Sequence, residues 1–469
     1  MIHEEKYDVI IGAGLPALIV ALKLKSLHPK RTLFIVEREQ QIGGLYSSIN
    51  YPPYGEFDFG MHVLYETGIA EIDKFIEGIL PPDQWNYLEG NCKDIAGIFF
   101  NGRLQTYSPY VDLRTLPASF QQKAMSDFFL NLNSPQSADP TNAMDHLRKR
   151  YGPTIALEVF SPILRKLYRE SPEYLDLFAT RISAMDRIIL FDENIMHDLM
   201  KSDLIRSRIA FPNQMNLSER YRTNGTRGLY PKTFGLRHMI NFVKKSLEST
   251  LSVHFLLGAT TSCITTEHNR INSLEIRHNG EVKHLRKINR LYWTAPLHSL
   301  ANLLEVETKN NSDKSKIHAY RVNLLFNKPV QMSNLYYFYC YDDRYSTFRV
   351  TNYTNYCLNA ASSRGCPICV EFWPKIESEK NENSLIKAVL DELTDFEIIN
   401  NSYQLIFSRV EPLHAVPSPT IENMRDQKAL RQAIDELGLS NLTRMGIMSE
   451  DNIFFFPDVM RDSFRKLTE

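Results

Sequence analysis

Short apolar runs bounded by turn residues alternate with stretches of helical spacing along this 469-residue chain. Tyr7 to Ile11 is a compact β-branched run suited to a buried strand, and Pro16 to Leu24 repeats apolar residues at helical spacing. Gly12 and Gly14 lie between them, so a glycine turn is predicted from strand into helix. A second run, RTLFIVERE, predicts a strand ending near Glu37, 23 residues after Gly14. Helical spacing returns over 72–80 and 119–132, then in NAMDHLRKRYGPTIALEVFSPILRKLY, where Gly152-Pro153 breaks it. Between the first two, FFNGRLQTYSPY predicts a hairpin at Asn101-Gly102. From Ser252 three or four strand-like runs, turning at His278-Asn279-Gly280, lead to Trp293, and a β-rich block extends from HAYRVNLLFNKPV to CPICVEFW. The chain ends as strand, loop and helix.

This order predicts an α/β protein whose Rossmann-like domain is discontinuous, formed by 1–70, 225–302 and 420–469. A largely helical insertion is expected over 71–224 and a β-sheet substrate domain over 303–419.

Composition narrows the function. A net charge of −1 shows no footprint of a nucleic-acid binder. The 23 tyrosines and 26 phenylalanines are ample for aromatic-walled pockets. The longest apolar stretch, Val9 to Leu24, is about 16 residues with two glycines and a proline, short of the ~20 that span a bilayer, so no transmembrane segment is expected. The acidic, polar start MIHEEKYD has no secretory pattern, and cytoplasmic location is expected. Six cysteines are sparse for the length. Cys366 and Cys369 have C-x-x-C spacing, but no second cluster completes a metal site, and in a strand residues three apart face opposite sides. No metal is expected.

The first turn carries the chemistry. In G-x-G-x-x-A, Gly12 makes the tight turn, Gly14 admits a pyrophosphate close to the backbone, and Ala17 allows close helix–sheet packing. The helix N-terminus adds free N–H groups and a positive dipole end. Glu37, beside Arg38, is an acid at the spacing that suits ribose hydroxyls. A second glycine pair, Gly43-Gly44, is not needed by a nicotinamide domain and points to a longer cofactor.

Taken in order, VIIGAGLPAL, FIVEREQQIGGLYSS, FDFGMHVLYET, YWTAPLHSL and the terminal strand–loop–helix resemble the FAD-binding elements of the flavoproteins that include protoporphyrinogen oxidases, amine oxidases and UDP-galactopyranose mutases. NGRLQTYSPYVDL and LRKRYGPTIALEVFSPILRKLYRESPEYL look most like protoporphyrinogen-oxidase-like members. The resemblance implies FAD, with Gly12, Gly14 and Ala17 at its pyrophosphate, Glu37 at the adenosine ribose, and Gly43 and Gly44 along the pyrophosphate-to-ribityl stretch. It also implies that Asp58, Phe59, Gly60, Met61 and His62 turn beside the isoalloxazine, that Thr294 and Pro296 lie near the adenine half, and that Gly446 precedes a final helix facing the flavin. The group carries arginine after that last glycine. Here Ile447 stands in its place, with Arg444 as a nearby substitute.

Catalytic candidates are His62 in the turn and Arg349 in YSTFRVTNYTNY, with Tyr353 and Tyr356 following. An inward Arg349 would clamp a carboxylate or phosphate; alternation alone does not say which face is inward. Lys232 is a candidate for the flavin N5 side. The expected activity is an FAD-dependent oxidoreductase taking a hydride from a small organic substrate, with anionic compounds and nucleotide sugars among the candidates. UDP-galactopyranose mutase-like isomerisation is the alternative, favoured by STFRVTNYTN; however, RISAM keeps Arg181 but has Met185 where the mutase pattern carries a second arginine. A non-catalytic flavin-binding protein is the third reading.

Overall fold

The first apolar run forms the strand Tyr7–Ile11 at the centre of a five-stranded parallel sheet, in the order Val253–Leu257, Leu33–Glu37, Tyr7–Ile11, Ile288–Trp293, Leu442–Arg444. The computed structural model describes residues 6–132, 139–183, 185–214, 217, 227–306, 319–362, 364–374, 381–413 and 418–468. Parallel sheets are covered on both faces, which is why these strands read as continuous apolar runs. Val9, Ile10 and Ile35 retain no solvent contact. Helix Leu15–Leu27 lies on one face, against helices Leu236–Glu248 and Phe456–Thr468, and buries residues around most of its circumference. On the other face Val9, Ile11 and Trp293 pack with Ile264, Leu274 and Ile276 of the antiparallel strands Ala259–Glu267, Arg270–His278 and Glu281–Arg286.

A seven-stranded sheet forms the second layer, in the order Leu405–Leu413, Ala319–Phe326, Cys366–Phe372, Thr347–Asn352, Tyr337–Cys340, Ala96–Phe100, Arg103–Gln105. The last two strands form the hairpin at Asn101-Gly102 and come from the 71–224 segment, joining by parallel pairing of Ala96–Phe100 with Tyr337–Cys340. Helices Ala118–Leu132, Ala143–Tyr151 and Ser161–Tyr168 cover a separate core built on Phe128, Leu147, Tyr151 and Phe160. Each large apolar side chain buried there contributes about 1.5–3 kcal/mol.

This is the α/β architecture with a Rossmann-like sheet that the pattern predicts. Strand Tyr7–Ile11 has Leu33–Glu37 on one side and Ile288–Trp293 on the other, so the strand order reverses there. In open α/β sheets a ligand crevice forms outside the carboxyl ends at such a point.

Candidate functional site

Four segments singled out in the sequence meet at the carboxyl edge of the parallel sheet. Gly12 to Gly14 follow the first strand, Glu37 ends its neighbour, Thr294 follows Trp293, and Gly446 lies just past Arg444. Gly43 joins them, donating its N–H to the Ala13 carbonyl at 2.7 Å and accepting the Leu15 N–H at 3.2 Å. Gly12 has φ +100°, and a Cβ there would lie 2.4 Å from Thr294 Oγ1, so the turn closes only with glycine. Gly14 is different. Its φ of −64° suits any residue, and an added Cβ would meet only Pro16 Cδ, at 3.9 Å. Gly44 packs on it, since an added Cβ there would lie 3.3 Å from Gly14 Cα, so bare backbone meets bare backbone beside the helix end.

The helix beginning at Leu15 has no side-chain cap, and Pro16 removes one of its donors. Among the described residues the Gly14 and Ala17 N–H groups make no backbone hydrogen bond, leaving open donors at a positive helix end. The Ala17 side chain is packed in the core. Glu37 Oε2 accepts the Ala13 N–H at 2.7 Å and Oε1 the Glu39 N–H at 3.0 Å, and each oxygen keeps a lone pair for a hydroxyl. Arg38 extends into solvent beside Glu39. Thr294 and Pro296 serve the framework: Thr294 Oγ1 donates to the Ile11 carbonyl at 2.8 Å, and Pro296 caps helix Leu297–Leu303.

The turn Asp58 to His62 meets the seven-stranded sheet. A Cβ on Gly60 would lie 3.2 Å from Arg349 Nη2 and 3.4 Å from the Glu371 carboxylate, and the Tyr353 hydroxyl donates to the Asp58 carbonyl at 2.7 Å. Arg321, Glu371, Arg349 and Tyr339 are paired across adjacent strands and therefore share this face. Arg349 thus points inward, with Tyr353 and Tyr356 also buried. Its guanidinium is already engaged, since Nε donates to Glu371 Oε2 in a buried pair. Burial works against the Arg349 charge, but Glu371, with Tyr339 and Tyr337, more than offsets it and raises the pKa.

Burial, then the Arg349 and Arg321 charges, push the His62 pKa down to about 3, so the imidazole is neutral near pH 7. Its Nδ1 is buried without a partner, and its ring meets Tyr46 at 5.1 Å. Met61 belongs to the adjoining core. Tyr46, Tyr65, Tyr337 and Tyr339 gather with Asp94 near His62, and burial raises the pKa of each. Burial pushes the Asp94 carboxyl up to about 6, opposed by Tyr337 and Lys93. Among the described residues no cluster of three or more His, Cys, Asp or Glu is placed to hold a metal, and no helix is long and apolar enough to cross a membrane.

Residues 10–75 match the sequence pattern of the NAD(P)-binding Rossmann-like domain, covering both glycine turns and Glu37. No curated protein sequence matches significantly. Among solved structures, reduced UDP-galactopyranose mutase superimposes with a TM-score of 0.75 at 14% identity, covering 98% of this chain and 94% of that one. A protein named for protoporphyrinogen oxidase, from Exiguobacterium sp. 255-15, gives 0.67 at 15% identity, covering 99% of this chain and 98% of that one. An oxidoreductase from Methanosarcina mazei gives 0.59 at 11% identity, covering 99% of this chain and all of that one (100%). The chain shares the fold of these three proteins over almost its whole length.

Within that fold, several sequence candidates take other places. Arg444 is no substitute for the missing arginine, because its buried guanidinium is committed to the Arg431 carbonyl at 2.9 Å, Asp435 at 3.0 Å and Glu450 at 3.2 Å. Ile447 itself is half exposed. Lys232 carries an exposed side chain, and its backbone is what is engaged, the N–H donating to the Gln84 carbonyl at 2.8 Å and the carbonyl accepting Asn359 Nδ2 at 2.8 Å. Met185 is buried in the helical core, and Arg181 reaches Asp458 and the Asn452 carbonyl, tying that core to the final helix. Cys366 and Cys369 are buried free thiols on one strand. Sequence reasoning missed Arg321, Glu371 and Asp94. The signal for the first two was a charge inside an otherwise apolar strand, YRVNLLF and CPICVEF.

Proposed function

We propose that this protein is an FAD-dependent oxidoreductase of the protoporphyrinogen oxidase and amine oxidase type, acting on a small organic substrate. The observation that carries this reading is the open end of helix Leu15–Leu27, where the Gly14 and Ala17 N–H groups lack backbone partners, an added Cβ on Gly14 would meet only Pro16, and Glu37 ends the neighbouring strand. A pyrophosphate suits that helix end because its charge meets N–H groups and Gly14 presents no side chain. Glu37 suits the ribose hydroxyls, and Gly43 and Gly44 prolong the bare backbone for a cofactor longer than the first turn serves. The orphaned Nδ1 of His62, beside a cluster of tyrosines, fits a ring system with hydrogen-bonding edges. FAD, when bound, would accept a hydride from a substrate C–H bond, the adjoining C–N or C–C bond becoming a double bond as a proton is lost.

The chain's own residues serve to position. Neutral His62 serves as a hydrogen-bonding partner, since a group with so low a pKa is a poor acid–base catalyst near pH 7. Arg349, held by Glu371, is a positioning residue that fixes the sheet face against the Gly60 turn. The purified protein should be yellow, release FAD on denaturation, and have its flavin bleached anaerobically by a member of an amine panel. Colourless protein that also fails to bind added FAD refutes this reading.

The strand STFRVTNYTN favours a second reading, mutase-like isomerisation of a nucleotide sugar, whereas the buried Met185 and the engaged Arg349 oppose it. Chemically reduced protein should therefore leave UDP-galactopyranose unchanged under anaerobic conditions. Formation of the furanose would promote the mutase.

A further inference from the structure

Arg321 lies on the inward face of the strand Ala319–Phe326 and is only 7% exposed. Among the described residues it makes no hydrogen bond or ion pair, and its Nε is sealed from solvent without an acceptor. Buried guanidinium donors left in this state are costly, so they persist where a ligand satisfies them. The flanking carboxylates are taken. Glu371 accepts from Arg349, while Glu411, opposite Arg321 in register, accepts the Tyr51 hydroxyl at 2.7 Å and lies 3.6 Å from Arg409.

The surroundings prepare this side chain for a ligand. Its guanidinium carbon lies 3.7 Å from the centroid of the Phe59 ring, which fixes one face and leaves the N–H edge for contacts. Phe59 belongs to the Asp58–His62 turn, and Glu371, the register partner of Arg321, lies 3.4 Å from where a Cβ on Gly60 would be, which places Arg321 beside that turn. Asn323 Oδ1, Thr351 Oγ1 and the Tyr356 hydroxyl are also buried without partners. Asn323 and Thr351 flank Cys369 in the row next to Arg321, Glu371 and Arg349, so these unsatisfied groups gather on one patch of the sheet.

We propose that Arg321, and not Arg349, receives an oxyanion of the substrate, a carboxylate or a phosphate group, through its N–H fork. This rests on reading the face of the sheet beside the Asp58–His62 turn as the substrate site. A planar fork matches two oxygens of one oxyanion, and Arg321 is a cation whose nearby protein carboxylates are committed elsewhere. Arg349 has its charge paired by Glu371, which leaves Arg321 as the uncompensated cation of the two.

Calorimetric titration of the holoprotein at low salt with benzoate, phenyl phosphate and benzamide tests the assignment. At least one anion should bind at least 10-fold more tightly than benzamide, and which anion wins identifies the oxyanion. Arg321→Gln should lower that affinity at least 10-fold and leave flavin content and benzamide binding unchanged, while Arg321→Lys should restore only part. Wild-type protein that binds benzamide as tightly as both anions, or binds none of the three at millimolar concentration, overturns the proposal without any variant. Unaltered anion binding by Arg321→Gln overturns it as well, and so does loss of flavin from that variant, which would assign the guanidinium to the cofactor. Calorimetry does not need the flavin. Colourless protein that binds benzoate through Arg321 upholds the site and sinks the oxidoreductase reading; yellow protein without anion preference does the reverse.

Discussion

One methyl group added at Gly12 and one added at Gly14 should have opposite consequences. At Gly12 the backbone has φ +100° and the new Cβ falls 2.4 Å from Thr294 Oγ1, which is itself bonded to the Ile11 carbonyl. Positive φ in a non-glycine residue costs about 1–3 kcal/mol, and displacing the threonine forfeits a bond worth about 0.5–1.5 kcal/mol, so Gly12→Ala should lose about 2–4 kcal/mol of stability. At Gly14 the φ of −64° is ordinary, and the nearest atom to the new Cβ is 3.9 Å away. Gly14→Ala should therefore fold within about 1 kcal/mol of wild type, the difference between glycine and alanine as a helix N-cap. The new methyl group would project into the open space at the helix end, and overpacking of about 1–3 kcal/mol against a bound cofactor corresponds to a roughly 5- to 150-fold loss of cofactor affinity. Urea denaturation of the cofactor-free proteins reads the first effect. Flavin retained on purification, and titration of added FAD, read the second. A Gly14→Ala protein that keeps wild-type stability and a full complement of flavin would refute the helix end as a cofactor site.

The remaining expectations concern the buried charges and thiols. Arg349→Ala leaves Glu371 buried and unpaired, so it should cost about 3–5 kcal/mol in urea denaturation, while Arg349→Met combined with Glu371→Leu should recover most of that; a single-variant cost below about 1 kcal/mol would mean the pair is solvated. Burial raises the Asp58 pKa to about 7 from 3.8, so the folded state holds this proton more tightly than the unfolded chain. Asp58 thus favours folding below about pH 4, and that contribution disappears as pH rises to about 7. The stability of Asp58→Asn relative to wild type should accordingly increase across this window, and a difference independent of pH would show that the carboxyl ionises normally. In thiol titration the exposed Cys92 should react first and the partly buried Cys263 more slowly, while Cys340, Cys357, Cys366 and Cys369 should react only on unfolding; a Cys366–Cys369 disulfide after mild oxidation would contradict their buried, free state.

The strand–glycine–helix unit at Tyr7 to Leu27, the acid at Glu37 and the hairpins at Asn101-Gly102 and Asn279-Gly280 were legible in the sequence because each is decided within a few residues. A β-branched run, a turn that needs positive φ and an amphipathic or fully apolar helix all leave local marks. Strand alternation likewise shows that Arg349 and Thr351 share a face. Which face is inward depends on what lies above the sheet, and that is a tertiary matter. Glu371 neutralises Arg349 only because Thr347–Asn352 pairs with Cys366–Phe372, and Arg321 joins the same row only because Ala319–Phe326 pairs on the far side of that strand. Arg444 and Arg181, plausible ligand-binding groups by position, are consumed by Asp435, Glu450 and Asp458, which are brought to them by helix packing. The glycine turn is therefore written into neighbouring residues. The charge state of the facing sheet surface is set by pairings between strands distant in the chain, because an ion pair depends on where the fold brings two side chains, not on their separation in sequence.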